Sequence, residues 1–121
     1  MAKAGLDKTI IIEKASALAN EKGLDSLSMK LLAEELGVQP PSLYNHIGSL
    51  EGLKSSLMLT GWSRLQQRML KAAAGIGGWD AFRVMCREFY SFAVEEPGVF
   101  NAMLWYNKYA DSDTMAATED F

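Results

Sequence analysis

The chain has 121 residues, 49% of them apolar and 22% charged, with a formal net charge of −3. That is room for one small domain with an adjoining helical segment, in the composition range of ordinary globular proteins. The charge balance alone argues against a nucleic-acid partner: residues 1–60 hold six Lys, no Arg and seven Asp or Glu, a net of −1, so any DNA-binding face must be made by sorting charge rather than by bulk excess.

A lone cysteine, Cys86, excludes an intramolecular disulfide, and one histidine with one cysteine supplies neither a metal-spaced cluster nor a nucleophile–base pair. No enzyme, cofactor or metal reading finds support. No apolar run approaches the roughly 18–20 residues that span a bilayer, and the opening Met1 to Gly5 is not followed by the apolar core of a secretory signal. The expectation is a cytoplasmic protein with no membrane partner.

In chain order, residues 7–22 read as a first helix. Ile11, Ala15, Leu18 and Ala19 form a stripe at helical period, with Asp7 as N-cap and Gly23 as a left-handed stop. A short helix over 28–36 follows, capped by Ser28, with Leu27 and Leu32 spaced as a hydrophobic staple and Gly37 at its end. A third opens at Pro40-Pro41, where missing amides cost nothing, turns Leu43 and Ile47 inward, and stops at Gly48. Ser49 caps a long fourth helix over about 50–73, whose apolar positions include Leu53, Leu57, Trp62, Leu65 and Leu70, with Gly61 inside it as a weak point. Gly75 to Gly78 is a break that lacks the Lys-Ser/Thr of a phosphate loop.

A fifth helix over 79–95 carries Phe82, Cys86, Phe89, Tyr90 and Ala93 on one stripe, and Glu95-Glu96-Pro97-Gly98 ends it. A sixth, about 98–109, is aromatic-rich, and the acidic stretch 110–121 reads as frayed. With no strand-like alternation, the fold class is all-α.

The informative unit is 28–47: helix, glycine turn, helix. Ala33 allows close approach, Gly37 the turn, and Val38, Leu43 and Ile47 plug the corner, leaving the second helix of the pair free to enter a major groove. Spacing alone fits a plain helical bundle as well.

The run Gly37-Val38-Gln39-Pro40-Pro41-Ser42-Leu43-Tyr44-Asn45-His46-Ile47 resembles the recognition-helix signature of the TetR/AcrR-type regulators: Gly-Val into the turn, a small hydroxyl residue, then Leu-Tyr-x-His and an apolar residue. The resemblance covers about residues 8–57, and Phe92 to Phe100 more weakly resembles a helix end in the family's effector domains. It implies a helix-turn-helix DNA-binding domain over 7–57 and a helical effector-binding and dimerisation region over 58–121 that the sequence holds only in part. It further implies a homodimer on inverted-repeat operator DNA, released by a small-molecule effector, in a repressor role. The alternative is a helical protein- or ligand-binding module without DNA-binding activity.

The candidate DNA contacts are Ser28, Lys30, Gln39, Pro41, Ser42, Tyr44, Asn45 and His46. The resemblance gives Tyr44 and His46 phosphate contacts, although the Tyr44 ring could also rest on the first helix. Gln and Asn can pair with adenine, and Ser reads base or phosphate. Gln39 is equally an N-cap, and Lys30 equally a solvated surface residue. The sequence departs from the family at Leu50, where many members carry a Lys, and in lacking Arg near the start of the first helix. Trp62, Phe82, Cys86, Phe89, Met103 and Tyr106 are the effector-site candidates that the resemblance implies; the simpler reading of each, and of the other aromatics of this region, is core packing, with Cys86 a small buried hydrophobe.

Overall fold

The computed structural model describes residues 6–109, with side chains described as far as Leu104. Among the described residues the chain is helical throughout: α1 (Lys8–Lys22), a single 3₁₀ turn (Leu24–Ser26), α2 (Met29–Leu36), α3 (Pro40–Ile47), α4 (Leu50–Ala73), α5 (Gly78–Glu95) and α6 (Pro97–Tyr109). The expected fraying of 110–121 lies outside the described residues.

The helix starts follow local chemistry. Side-chain oxygens of Asp7, Ser28 and Ser49 accept from the amides of Ile10, Leu31 and Gly52 at 2.9, 3.1 and 2.9 Å, so each satisfies an amide that has no partner within its helix. The α2 stop is a Schellman arrangement: Val38 N–H donates to the Ala33 carbonyl at 3.0 Å, Gly37 N–H to that of Glu34 at 3.2 Å. It requires Gly37 at φ 71°, ψ 31°, where a Cβ would be strained. Gly23 departs from expectation: its φ of 94° is positive, but its ψ of 146° is not that of a left-handed helical cap. The chain leaves α1 extended and makes the 3₁₀ turn that brings Leu24 and Leu27 under α1, both buried.

Two buried clusters result. The first joins α1 (Ile11, Ala15, Leu18), the 3₁₀ turn, α2 (Leu32, Ala33), Leu43 of α3, Leu53 and Leu57 of α4, and Ala102 of α6. The second holds Met58 and Leu65 of α4, Phe92 of α5, and Val99 and Met103 of α6. α4 runs through both. Its Gly61, a weak point by propensity, is where α6 comes closest: a Cβ there would lie 2.7 Å from Met103 Cγ and 2.8 Å from Val99 Cγ1. Close helix contact here outweighs the roughly 1 kcal/mol that glycine costs within a helix.

α5 corrects the sequence reading. Its covered side is centred on buried Phe92, where Arg68 of α4 lies 5.6 Å over the ring and bonds Glu88 and Glu95 at 3.0 and 3.2 Å. The stripe expected in the core faces largely outward: Phe82 is 57% exposed, Phe89 42% and Tyr90 70%, with Trp79 near them 77% exposed, and only Ala93 is half-buried. Cys86 is exposed too, not buried. Leu70, on the expected apolar side of α4, is likewise exposed. Apolar residues on α5 extend well beyond one covered face, and only the part that α4 and α6 overlie is buried.

Gly61→Val places branched carbon into the α4–α6 contact. It is expected to lower stability by about 1–3 kcal/mol, the usual cost of overpacking, seen as a lower urea midpoint at unchanged m-value.

Candidate nucleic-acid interface

The candidate interface is built on α2 and α3, which the first cluster clamps to α1. Leu43 is fully buried, Ile47 half-buried against the same cluster, and Val38 closes the corner between the helices. Anchoring one side of an eight-residue helix this firmly leaves the other side free of packing duty. Pro41, Tyr44 and Asn45, spaced i, i+3, i+4, are exposed on that free side, and His46 beside them is exposed as well. Tyr44 is 48% exposed, so its ring is not wholly taken up by packing on α1.

Gln39 occupies the N-cap position of α3 but makes no side-chain capping bond. The cap is formed by the backbone instead, with Ser42 N–H donating to the Gln39 carbonyl at 2.9 Å, and the Gln39 amide faces solvent. Ser42 is half-buried. Gln39 and Ser42 come together with Gly37, Val38 and Leu6 around an open hollow of about 370 Å³ at the start of α3. Ser28 is committed to capping α2, and Lys30 in the first turn of that helix is exposed.

Leu6 was not singled out in the sequence, yet a signal existed. Its place immediately before the Asp7 cap, five residues ahead of Ile11, is that of a hydrophobic staple, and it packs against the cluster that contains Ile11.

The face is built mainly of neutral groups. Between residues 23 and 63 the cations are Lys30 and Lys54, against Asp25, Glu34, Glu35 and Glu51. Leu50, where a family phosphate contact would sit, is half-buried against the first cluster. Hydroxyls, amides and an imidazole are thus the available donors on α3, with the two lysines as flanking point charges.

The six residues named for an effector site do not converge. Phe82, Cys86 and Phe89 line an open apolar groove of about 260 Å³ with Met69 and Met85. Met103 is buried beneath Gly61, and Trp62 is half-buried against the second cluster. The backbone of Tyr106 lies in α6, while its side chain lies outside the described residues. Among the described residues no group of three or more His, Cys, Asp or Glu could hold a metal ion, and no helix is long and apolar enough to cross a membrane.

Residues 11–57, the span that contains α2 and α3, match the family model described as bacterial regulatory proteins, tetR family. Over 100 residues, 83% of this chain, the sequence is 31% identical to the uncharacterized HTH-type transcriptional regulator YobS of Bacillus subtilis, covering 52% of that protein. It is 34% identical over 99 residues to an uncharacterized HTH-type transcriptional regulator of Mycobacterium tuberculosis, covering 45% of it. With the class D tetracycline repressor protein of Escherichia coli it shares 33% identity over 79 residues, 65% of this chain and 35% of the repressor. The chain therefore spans about half the length of the first two relatives. Through its capped helix-turn-helix and the match over residues 11–57, the chain carries the helix-turn-helix domain of the tetR family of bacterial regulatory proteins.

Proposed function

We propose that this chain is the DNA-reading part of a transcription regulator that binds an inverted-repeat operator as a homodimer, with α3 in the major groove, and that acts as a repressor released by a small-molecule effector. One observation carries the DNA-reading step: α3 is anchored by Leu43 and Ile47 while Pro41, Tyr44, Asn45 and His46 stand exposed. In this reading Asn45 and Gln39 face base edges, Ser42 and Tyr44 contact phosphate or base, and His46 and Lys30 contact phosphate. The amides at the start of α2, beside Ser28, favour a passing phosphate.

The repressor role and effector release rest on likeness to proteins named tetracycline repressors. The groove lined by Phe82, Cys86 and Phe89 is the proposed place for effector contact. Dimerisation follows from the inverted-repeat reading, because two-fold DNA symmetry asks for a two-fold protein.

The experiment is selection of DNA from a random-sequence duplex pool at low and moderate salt. An enriched inverted repeat supports the full reading. Retention without a motif limits it to backbone binding, and no retention at either salt removes DNA reading in favour of a helical binding module.

Three outcomes are expected with the selected duplex. Lys30→Glu abolishes retention while helix content by circular dichroism stays unchanged, because the side chain is exposed. Tyr44→Phe removes one hydroxyl, weakening binding by about five- to tenfold at unaltered melting temperature. With two flanking lysines per reading head, log K against log salt is expected to fall with a slope of about −2 per head and about −4 per pair, readable by fluorescence anisotropy; a much steeper slope assigns phosphate contacts to cations elsewhere.

A further inference from the structure

The start of α6 does not cap itself. Pro97 opens the helix, and the amides of Gly98 and Val99, which have no partner within it, both donate to Asn20 Oδ1 of α1, at 2.9 and 3.0 Å. Glu96, just before the helix, turns its carboxylate elsewhere: its Oε1 accepts from Arg64 Nη1 of α4 at 2.7 Å and from Asn20 Nδ2 at 3.3 Å. The other arm of Arg64 reaches Glu13 of α1 at 3.1 Å.

Beneath this cluster the helices touch backbone to backbone. Gly98 is buried, and a Cβ on it would lie 2.0 Å from the Ala19 carbonyl carbon and oxygen. Seating and capping of α6 are therefore one event. If its first turn lifts from α1, two amides lose their acceptor and Arg64 separates from part of its carboxylate pair. α1 is also the element on which Leu43 of α3 packs, so whatever fixes α6 on α1 fixes the reading helix relative to the α4–α6 body.

We propose that Asn20 is a positioning residue for DNA reading: by capping α6 from α1, and with Arg64 tied to Glu13 and Glu96, it sets the orientation of α3 relative to α4–α6. The proposal rests on the DNA-reading function above, but its first readout needs no DNA.

Cys86 is the chain's lone cysteine and is exposed, so a spin label there and one at Asn45→Cys report the distance from α5 to the reading helix, with labelled protein diluted into unlabelled. In that background Asn20→Ala is expected to broaden the distance distribution and speed hydrogen exchange at Gly98 and Val99, with helix content retained. In the chain without the Asn45 label site, it is expected to weaken binding to the selected duplex by about tenfold. Asn20→Asp combined with Glu96→Gln exchanges donor and acceptor between the two positions and keeps an acceptor on both amides, with the introduced glutamine's Nε2 donating to the introduced carboxylate and its Oε1 left to accept from Arg64. It is expected to restore both the narrow distribution and the affinity.

A distribution in Asn20→Ala as narrow and as centred as the parent's overturns the proposal, whatever the DNA result. If Asn20→Ala does not fold, the reciprocal pair decides: a distribution matching the parent's, with Asn20→Asp alone broader, upholds the assignment, and no difference between them overturns it. Should the parent chain retain no DNA, the DNA-reading function falls, while the distance readout still decides whether Asn20 orients α3.

Discussion

α1 packs simultaneously against α2, α3, α4 and α6, and its side chains are sized for that load. Ala15, Ser16 and Ala19 are buried beside Ile11, Ile12 and Leu18, so neighbours can approach the helix closely while three larger residues fill the gaps between them. Nearly everything else depends on this arrangement. α3 gets its anchor from Leu43 in the α1 cluster, α4 meets the same cluster through Leu53 and Leu57, and α6 enters it through Ala102. A bulky residue at Ala15 or Ala19 would displace several elements together.

The charges are arranged with a division of labour. Arg64 and Arg68 are engaged by carboxylates on neighbouring helices and tie α4 to α1, α5 and the start of α6. The α2–α3 region carries few cations and more carboxylates. A head of this kind draws little on the sequence-independent attraction between lysine and phosphate that governs non-specific affinity. On the proposed DNA-reading function, discrimination would rest on hydrogen bonds from neutral side chains, which need accurate placement because each is short-ranged and directional. That places a premium on how firmly α3 is oriented, and so on the α1–α6 junction.

α5 illustrates how far periodicity reaches. The stripe of Phe82, Cys86, Phe89 and Tyr90 has the spacing of a buried face, and so does the adjoining one around Met85 and Phe92. On a helix apolar over so much of its circumference, spacing identifies the helix and leaves open which side is covered. The neighbours decide: α4 and α6 overlie Phe92, and the ring of Arg68, Glu88 and Glu95 marks the edge of that contact. The groove beside it, lined by Phe82, Cys86 and Phe89 with Met69 of α4, stays open because the other stripe is covered only at its edge, where Phe89 meets Phe100 of α6 edge-on at 5.8 Å.

Where helices start and stop follows from neighbouring residues. Asp7, Ser28 and Ser49 cap helices because a short side-chain oxygen can reach an amide three residues ahead, Gly37 ends α2 because positive φ suits glycine, and paired prolines open α3 because they have no amide to lose. These rules act within a few residues, so six helices and the helix-turn-helix were legible, and the exposed face of α3 followed from the inward spacing of Leu43 and Ile47. Tertiary structure alone decided what depends on partners distant in sequence. Asn20 meeting Gly98 and Val99 across nearly eighty residues, Gly61 serving as a contact for Met103 rather than a weakness, and the outward turn of the α5 stripe have no local signature. A side chain's role there is set by which helix arrives opposite it, and that emerges only when all six pack at once.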